Sequence, residues 1–394
     1  MAWKANDATN LLYITSSYAQ ESEFFFKYLG DYPAETNPGW HEGVDGLAHD
    51  RNNWFITQET EIWKIPVSID LNESSSRRAV RHLSIRNYPA LAAYDHFGDP
   101  DYFELDGRGY LIVPVEGVDK AIALFNADNL EYVAQALTSQ SHLSWCAIDP
   151  QGRLYSSEFD GVDRIIRYET NWDLWRRWIS SSTTTTLLGV ASAIRLSATF
   201  NGVQGGEITP SGELLYLVAN GIQVIDLATG QRLIESSNGR GVFNFAFDPR
   251  SWPFAHEEPE GLTIWDLDDG RAPHIGGQLH VLLLDNGPGA DDVYIKHYGL
   301  GPVAQRLGGG RYCSVVGSVS DASGNSIDAD IAVFLRSIEI GHVTSEHGRF
   351  SMFDLPTGRY RVVASSSGHP DLLSVQYVDA LFNPALLRWD LRFR

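Results

Sequence analysis

Between residues 10 and 300, apolar and polar positions alternate in short runs, and Gly, Pro, Asn or Asp ends each run. Period-two alternation of this kind marks strands with one face on a core. Turn signals at 50–53, 106–109, 149–152 and 209–212 each separate an apolar run from a second one. The second runs include Trp54-Phe55-Ile56, Tyr110-Leu111-Ile112-Val113 and Leu214-Leu215-Tyr216-Leu217. Third strands are predicted at 61–65, 121–125, 164–168 and 221–226. A fifth set follows within 241–300, with strands near 261–265, 278–284 and 293–298. The pattern therefore predicts an all-β chain in which one strand unit is repeated.

Repetition of a four-stranded unit is the mark of a β-propeller, whose equivalent loops meet at a central channel. Five blades are expected, with six as the alternative. Leu11-Leu12-Tyr13-Ile14-Thr15 would close the ring as an outer strand and hide two sheet edges.

A short motif recurs just ahead of the expected inner strands. His41-Glu42-Gly43-Val44-Asp45-Gly46-Leu47 is echoed by His256-Glu257-Glu258-Pro259-Glu260-Gly261-Leu262. Looser versions start at His96, His142 and Gln204. If these loops are equivalent, His41, His96, His142 and His256 approach one axis. Imidazoles with carboxylates suit a divalent metal such as Zn, Mn, Fe or Ca, so the four histidines are the candidate ligands. Asp45, Asp101 and Glu260 are the candidate acids and bases. Trp40, Glu42, Phe97, Tyr102, Trp145, Gln204 and Glu257 are the candidate substrate contacts, because aromatic faces beside carboxylates suit sugars. The competing expectations are a histidine bonded within its own blade, as in WD40 propellers, an acid capping a turn, and aromatics packed between blades. The acid-Gly step resembles that of metal-centred hydrolase and lyase propellers, which implies an enzyme with its site at the channel mouth.

Composition narrows the partners. A formal charge of −20 over 394 residues argues against nucleic acid and anionic lipid, which need basic surface. No apolar stretch is long enough to span a membrane. The opening Met-Ala-Trp-Lys-Ala-Asn-Asp lacks the apolar core of a signal peptide. The compartment stays open, extracytoplasmic if a leader has been removed. Cys146 and Cys313 form no C-x-x-C pattern, so neither a disulfide framework nor a zinc knuckle is expected. No P-loop, G-x-S-x-G or H-E-x-x-H occurs in the context its chemistry requires.

Gly308-Gly309-Gly310 breaks the pattern, which divides the chain into 1–305 and 311–394. Beyond the break come Val316-Gly317-Ser318-Val319, the turn Asp321 to Ile327 and Leu355-Pro356-Thr357-Gly358-Arg359-Tyr360. Residues 312–366 resemble the carboxypeptidase regulatory-like (transthyretin-like) β-sandwich. That resemblance implies a small antiparallel sandwich without catalytic residues, and a possible protein partner bound through it. The tail from Leu372 departs from the motif and is expected to pack back on the first domain. Two readings of the whole remain. One is a metal-assisted hydrolase or lyase acting on a small polar or sugar-like substrate. The other is a non-catalytic propeller that binds carbohydrate or protein, with the sandwich as spacer.

Overall fold

The computed structural model describes residues 2–3, 24–33, 39–181, 186–209, 212–234, 236–237, 240–241, 243, 245–249, 256–267, 270–286, 291–302, 312–335, 338–356, 358–378 and 386–393. The described chain is all-β, built mainly of four-stranded antiparallel sheets. No helix among the described residues is long and apolar enough to cross a membrane. One compact unit takes in Phe26–Gly299, and Leu300–Arg394 belong to a second.

The first unit holds five principal sheets. The first is Val44–His49, Asn53–Gln58, Glu61–Pro66 and Arg81–Ser84. The second runs through Asp101–Leu105, Arg108–Gly117, Lys120–Asn126 and Tyr132–Leu137, with Tyr94–Phe97 also paired to Arg108–Gly117. Ala147–Ile148, Leu154–Ser156, Val162–Tyr168 and Val190–Phe200 make the third. Gly205–Ile208, Leu214–Ala219, Gly221–Asp226 and Arg232–Ile234 make the fourth. In the fifth, Glu257–Ile264, Leu279–Asp285 and Asp292–Pro302 are joined at the outer edge by Phe24–Asp31, from the other end of the unit's sequence. Leu11 to Thr15, expected to close the ring, lie outside the described residues; Phe24–Asp31 fills that role.

Local sequence accounts for the hairpins. Leu105 pairs with Arg108 across a two-residue turn, and Asp106 and Gly107 both have positive φ, 52° and 78°. That is the type I′ geometry that Asp-Gly tolerates and whose twist matches its strands. Asp50 fixes the equivalent turn in the first sheet by accepting from the N–H groups of Asn52 and Asn53.

The sheets face one another in a cycle. The first strands of successive sheets are neighbours, and that of the fifth returns to that of the first. Apolar side chains fill the gaps between sheets: Phe55 and Tyr102 between the first and second, Phe103 and Leu154 between the second and third, Trp145 and Leu215 between the third and fourth. Tyr216, Phe243 and Tyr298 make edge-on ring contacts of 6.4 and 6.1 Å from the fourth sheet to the fifth. Trp54 and Trp265 close the cycle between fifth and first. The helix Trp172–Ser181 caps the second gap. Its Trp175 ring lies 5.2 Å from Phe103 and its indole N–H donates to the Gly152 carbonyl.

At the axis, one side chain joins the sheets. Asp99, in the segment entering the second sheet, is fully buried. Its Oδ1 accepts from the Leu47 N–H of the first sheet at 2.8 Å, and its Oδ2 from the Gly206 N–H of the fourth at 2.9 Å. Its backbone bonds to Ser144 and Cys146 at the entry to the third. The strands approach so closely here that side chains do not fit. A Cβ on Gly46 would lie 2.4 Å from Asp99 Cα, one on Gly205 2.8 Å from Asp99 Oδ2, and one on Gly261 2.3 Å from Asp99 Oδ1. The glycine of each acid-Gly step is thus a packing requirement.

The second unit has two sheets. Tyr312–Ser320 lies between Arg349–Pro356 and Leu386–Arg392; Asp330–Leu335 lies between Ile338–Thr344 and Gly358–Ser365, with Leu372–Val378 at one edge. Tyr360 of the second sheet meets Trp389 of the first, with ring centroids 5.8 Å apart. Two corrections follow. The pair Tyr312–Ser320 with Leu386–Arg392 is parallel, so the sheets are not wholly antiparallel. The described strands of the tail, expected to pack back on the first domain, instead supply an edge strand to each sheet of this unit.

Asp99→Ala should orphan two buried N–H donors, each worth about 1–3 kcal/mol. Gly261→Ala should cost about 1–3 kcal/mol through overpacking. Equilibrium urea unfolding measures both, and changes within about 0.5 kcal/mol, the range of ordinary surface substitutions, would contradict the axial role.

Candidate acid–base site at the ring axis

Asp45 and Glu260 stand on neighbouring inner strands of the first and fifth sheets, each beside an irregularity in strand register. Such bulges re-aim side chains. Glu260 is buried, and burial drives its carboxyl well above the usual range, reinforced by Asp45, Glu258 and Asp99. Asp45 is also raised well above that range, first by burial and then by Glu59 and Glu258. The charged neighbours named for these two carboxyls are all acids, so each favours the neutral form of the other. Asp45 Oδ2 is buried without a hydrogen-bond partner. Asp99 lies behind them, raised by burial against the lowering effect of its two backbone bonds.

Two histidines reach this group from the rim. His96 Nε2 lies 3.4 Å from Asp45 Oδ1, and His256 Nε2 lies 2.7 Å from Glu258 Oε1. Side-chain exposure falls from 43% at His96 and 34% at Glu258 to 12% at Asp45, and Glu260 is 3% exposed. A shallow cleft of about 470 Å³ is lined by Glu42, Gln58, Glu59, Glu61 and Asp291. Glu59 is shared: it lines the cleft and acts electrostatically on Asp45.

The four sequence-chosen histidines do not assemble. His41 is buried, with its Nε2 3.1 Å from Glu42 Oε1. His142 is mostly exposed, 3.6 Å from Glu116 on another part of the rim. Each of the four histidines faces its own carboxylate. Among the described residues no three His, Cys, Asp or Glu side chains are set to hold a metal ion. The tetra-histidine centre is therefore corrected to two histidines, His96 and His256, flanking a carboxylate group.

Other candidates move as well. Asp101 binds backbone: its Oδ2 accepts from the Ile148 N–H at 2.7 Å, which ties the second sheet to the third. Trp40, Phe97 and Trp145 are fully buried and Tyr102 is 8% exposed. Their faces pack between sheets, so no sugar can stack on them. Gln204 is half-buried, and its backbone N–H bonds to Val218. Glu42 lines the cleft. Glu257 faces away from the acids, accepting from the Asp248 N–H with Lys296 nearby. Strand alternation puts its neighbour Glu258 on the side of Glu260 instead. Glu258 and Asp99 were legible in the sequence as members of the acid pairs Glu257-Glu258 and Asp99-Pro100-Asp101, whereas Glu59 is a member that the sequence reading did not select. The spacing of Glu258 and Glu260 carried the signal for the first.

No family model and no curated protein matches this chain in sequence. Among solved structures, a Myxococcus xanthus glutaminyl cyclase is 13% identical at a TM-score of 0.38, over 70% of this chain and 97% of that one. PorZ, a surface component of the type-IX secretion system of Porphyromonas gingivalis, is 13% identical at a TM-score of 0.32. That match covers 85% of this chain and 45% of PorZ. At these scores neither likeness carries an argument about activity.

The raised acids predict a pH dependence. An acid whose folded pKa exceeds its unfolded value holds its proton more tightly when folded. Its favourable contribution is full below the unfolded value near 4 and is lost as pH rises through the folded one. Urea midpoints should therefore fall between pH 5 and pH 8. Glu260→Gln, which removes one charge from the group, should flatten that slope; an unchanged slope would deny the coupling.

Proposed function

We propose that this chain is an enzyme working at the mouth of its ring of sheets, with Asp45 and Glu260 as a coupled acid–base pair. The observation that carries this reading is the pairing of two buried carboxyls on adjacent strands, each raised by burial and by other acids. Such groups share a proton at a pH where free carboxylates hold none, so one is ready to donate while the other accepts. His96 and His256, half in solvent, are suited to exchange that proton with water. The step is of hydrolase or lyase type. The substrate is small, polar, and neutral or cationic, because the cleft's Glu42, Glu59, Glu61 and Asp291 repel phosphate and carboxylate groups. On this reading the five sheets are the blades of a five-bladed propeller, and the two-sheet unit is a carboxypeptidase regulatory-like appendage.

One observation favours a second form of the same reading. Crowded acids are relieved by a cation as well as by a proton. Asp45, Glu258 and Glu260, with His96 or His256, would supply oxygen and nitrogen donors to Zn, Mn, Fe or Ca. These side chains would have to move to do so, and no step of the acid–base scheme depends on it.

Turnover should be sought with a panel of lactones, glycosides and amides at pH 5–8. Asp45→Asn and Glu260→Gln should each lower any activity found by about 10²–10⁴-fold, the usual worth of a general acid or base, with melting temperature kept or raised. Full activity in the double variant would reject the assignment. Manganese or calcium should raise the melting temperature of the wild type but not of Asp45→Asn if the cation form holds.

A further inference from the structure

Away from the acid site, the fifth sheet contains two histidines whose hydrogen bonds require more protons than two neutral imidazoles carry. His280 and His297 are register partners on adjacent strands, and both are buried. Their Nδ1 atoms lie 2.7 Å apart. His280 Nε2 lies 2.8 Å from the Trp265 carbonyl oxygen, and His297 Nε2 lies 2.7 Å from that of Tyr32. A carbonyl oxygen only accepts, so each Nε2 must carry a proton. The Nδ1 pair at hydrogen-bond distance needs a third proton between its two atoms. Turning either imidazole over would present carbon to both of its partners, so the three contacts also fix the orientations.

We propose that His280 and His297 share one proton as an imidazole–imidazolium pair, a buried proton-binding site that fastens the closing strand to the ring. The Tyr32 carbonyl follows directly on Phe24–Asp31, and the Tyr32 N–H donates to Ile295 at 3.0 Å. The groups that face the pair are few. His49, from the first sheet, disfavours charge on His280. Asp31, from the closing strand, favours charge on His297, and beyond it lie Lys296 at 3.2 Å and the Tyr28 hydroxyl at 2.6 Å. Trp54 sits edge-on to His280. Burial, the largest influence, pushes both imidazoles down, His297 to about 4. It thereby excludes a second proton. The first persists because its loss would either set two Nδ1 lone pairs face to face or, if one ring moved its remaining proton to Nδ1, leave a buried carbonyl without its donor.

The test is histidine-selective ¹⁵N NMR of the full chain from pH 5 to pH 10. At pH 7 two Nε2 protons and one strongly deshielded Nδ1 proton are expected. As the Nδ1 proton is lost at alkaline pH, amide exchange at Tyr32 should quicken. His297→Gln should abolish the Nδ1 signal. The wild-type spectrum decides even if that variant does not fold: two neutral imidazoles with one proton each at pH 7 would overturn the proposal.

Discussion

The first unit depends on a carboxylate held where five strands nearly touch. Asp99 offers two oxygens to N–H groups of the first and fourth sheets, while its own backbone bonds to the third. Burying a carboxyl is expensive unless its lone pairs are used, and here each oxygen has a backbone donor. The exchange also constrains sequence. Glycine is required at 46, 205 and 261 because Asp99, through its backbone at Gly46 and its carboxylate at Gly205 and Gly261, lies within 3 Å of where their Cβ atoms would be.

The acid group follows from that crowding. Asp45 and Glu260 immediately precede Gly46 and Gly261, so the contacts that bring the glycines to the axis bring the carboxyls together as well. Rigid strands hold like charges that would separate in a flexible chain. The strain is tolerated because the apolar packing between sheets, with tryptophans and tyrosines in nearly every gap, far exceeds the repulsion of a few acids. Close packing at the glycines and repulsion between the acids are therefore set against each other along single strands, one residue apart.

Much of this was legible in the sequence. The turns at 50–53 and 106–109 rest on Asx bonding and Asp-Gly dihedrals, which are local, and the strands between them alternate as read. The His-Glu-x-x-acid-Gly-Leu repeat located the axis and two of its acids. The histidines misled because their loops share sequence but not direction: His96 and His256 turn to the acids, whereas His41 is buried against Glu42 and His142 lies exposed beside Glu116. The aromatics misled for a different reason. Trp40 and Trp145 lie beside the mouth in sequence, but a large flat side chain gains more from a gap between sheets than from solvent. The strand at 24–31 was not foreseen, because its place is governed by a partner more than 260 residues away that periodicity does not reveal.

That closing strand has a consequence for biosynthesis. Phe24–Asp31 completes a sheet whose other strands end at Pro302. A nascent chain leaves the ribosome with this segment early and its partner late, so the edge must wait, unpaired, through most of translation. The contact has a very long sequence separation, and such contacts form slowly. Until it forms, each growing intermediate exposes a strand edge able to pair with another chain. Closure of the ring therefore waits until residues 292–302 have been made, and until then it competes with association between neighbouring chains.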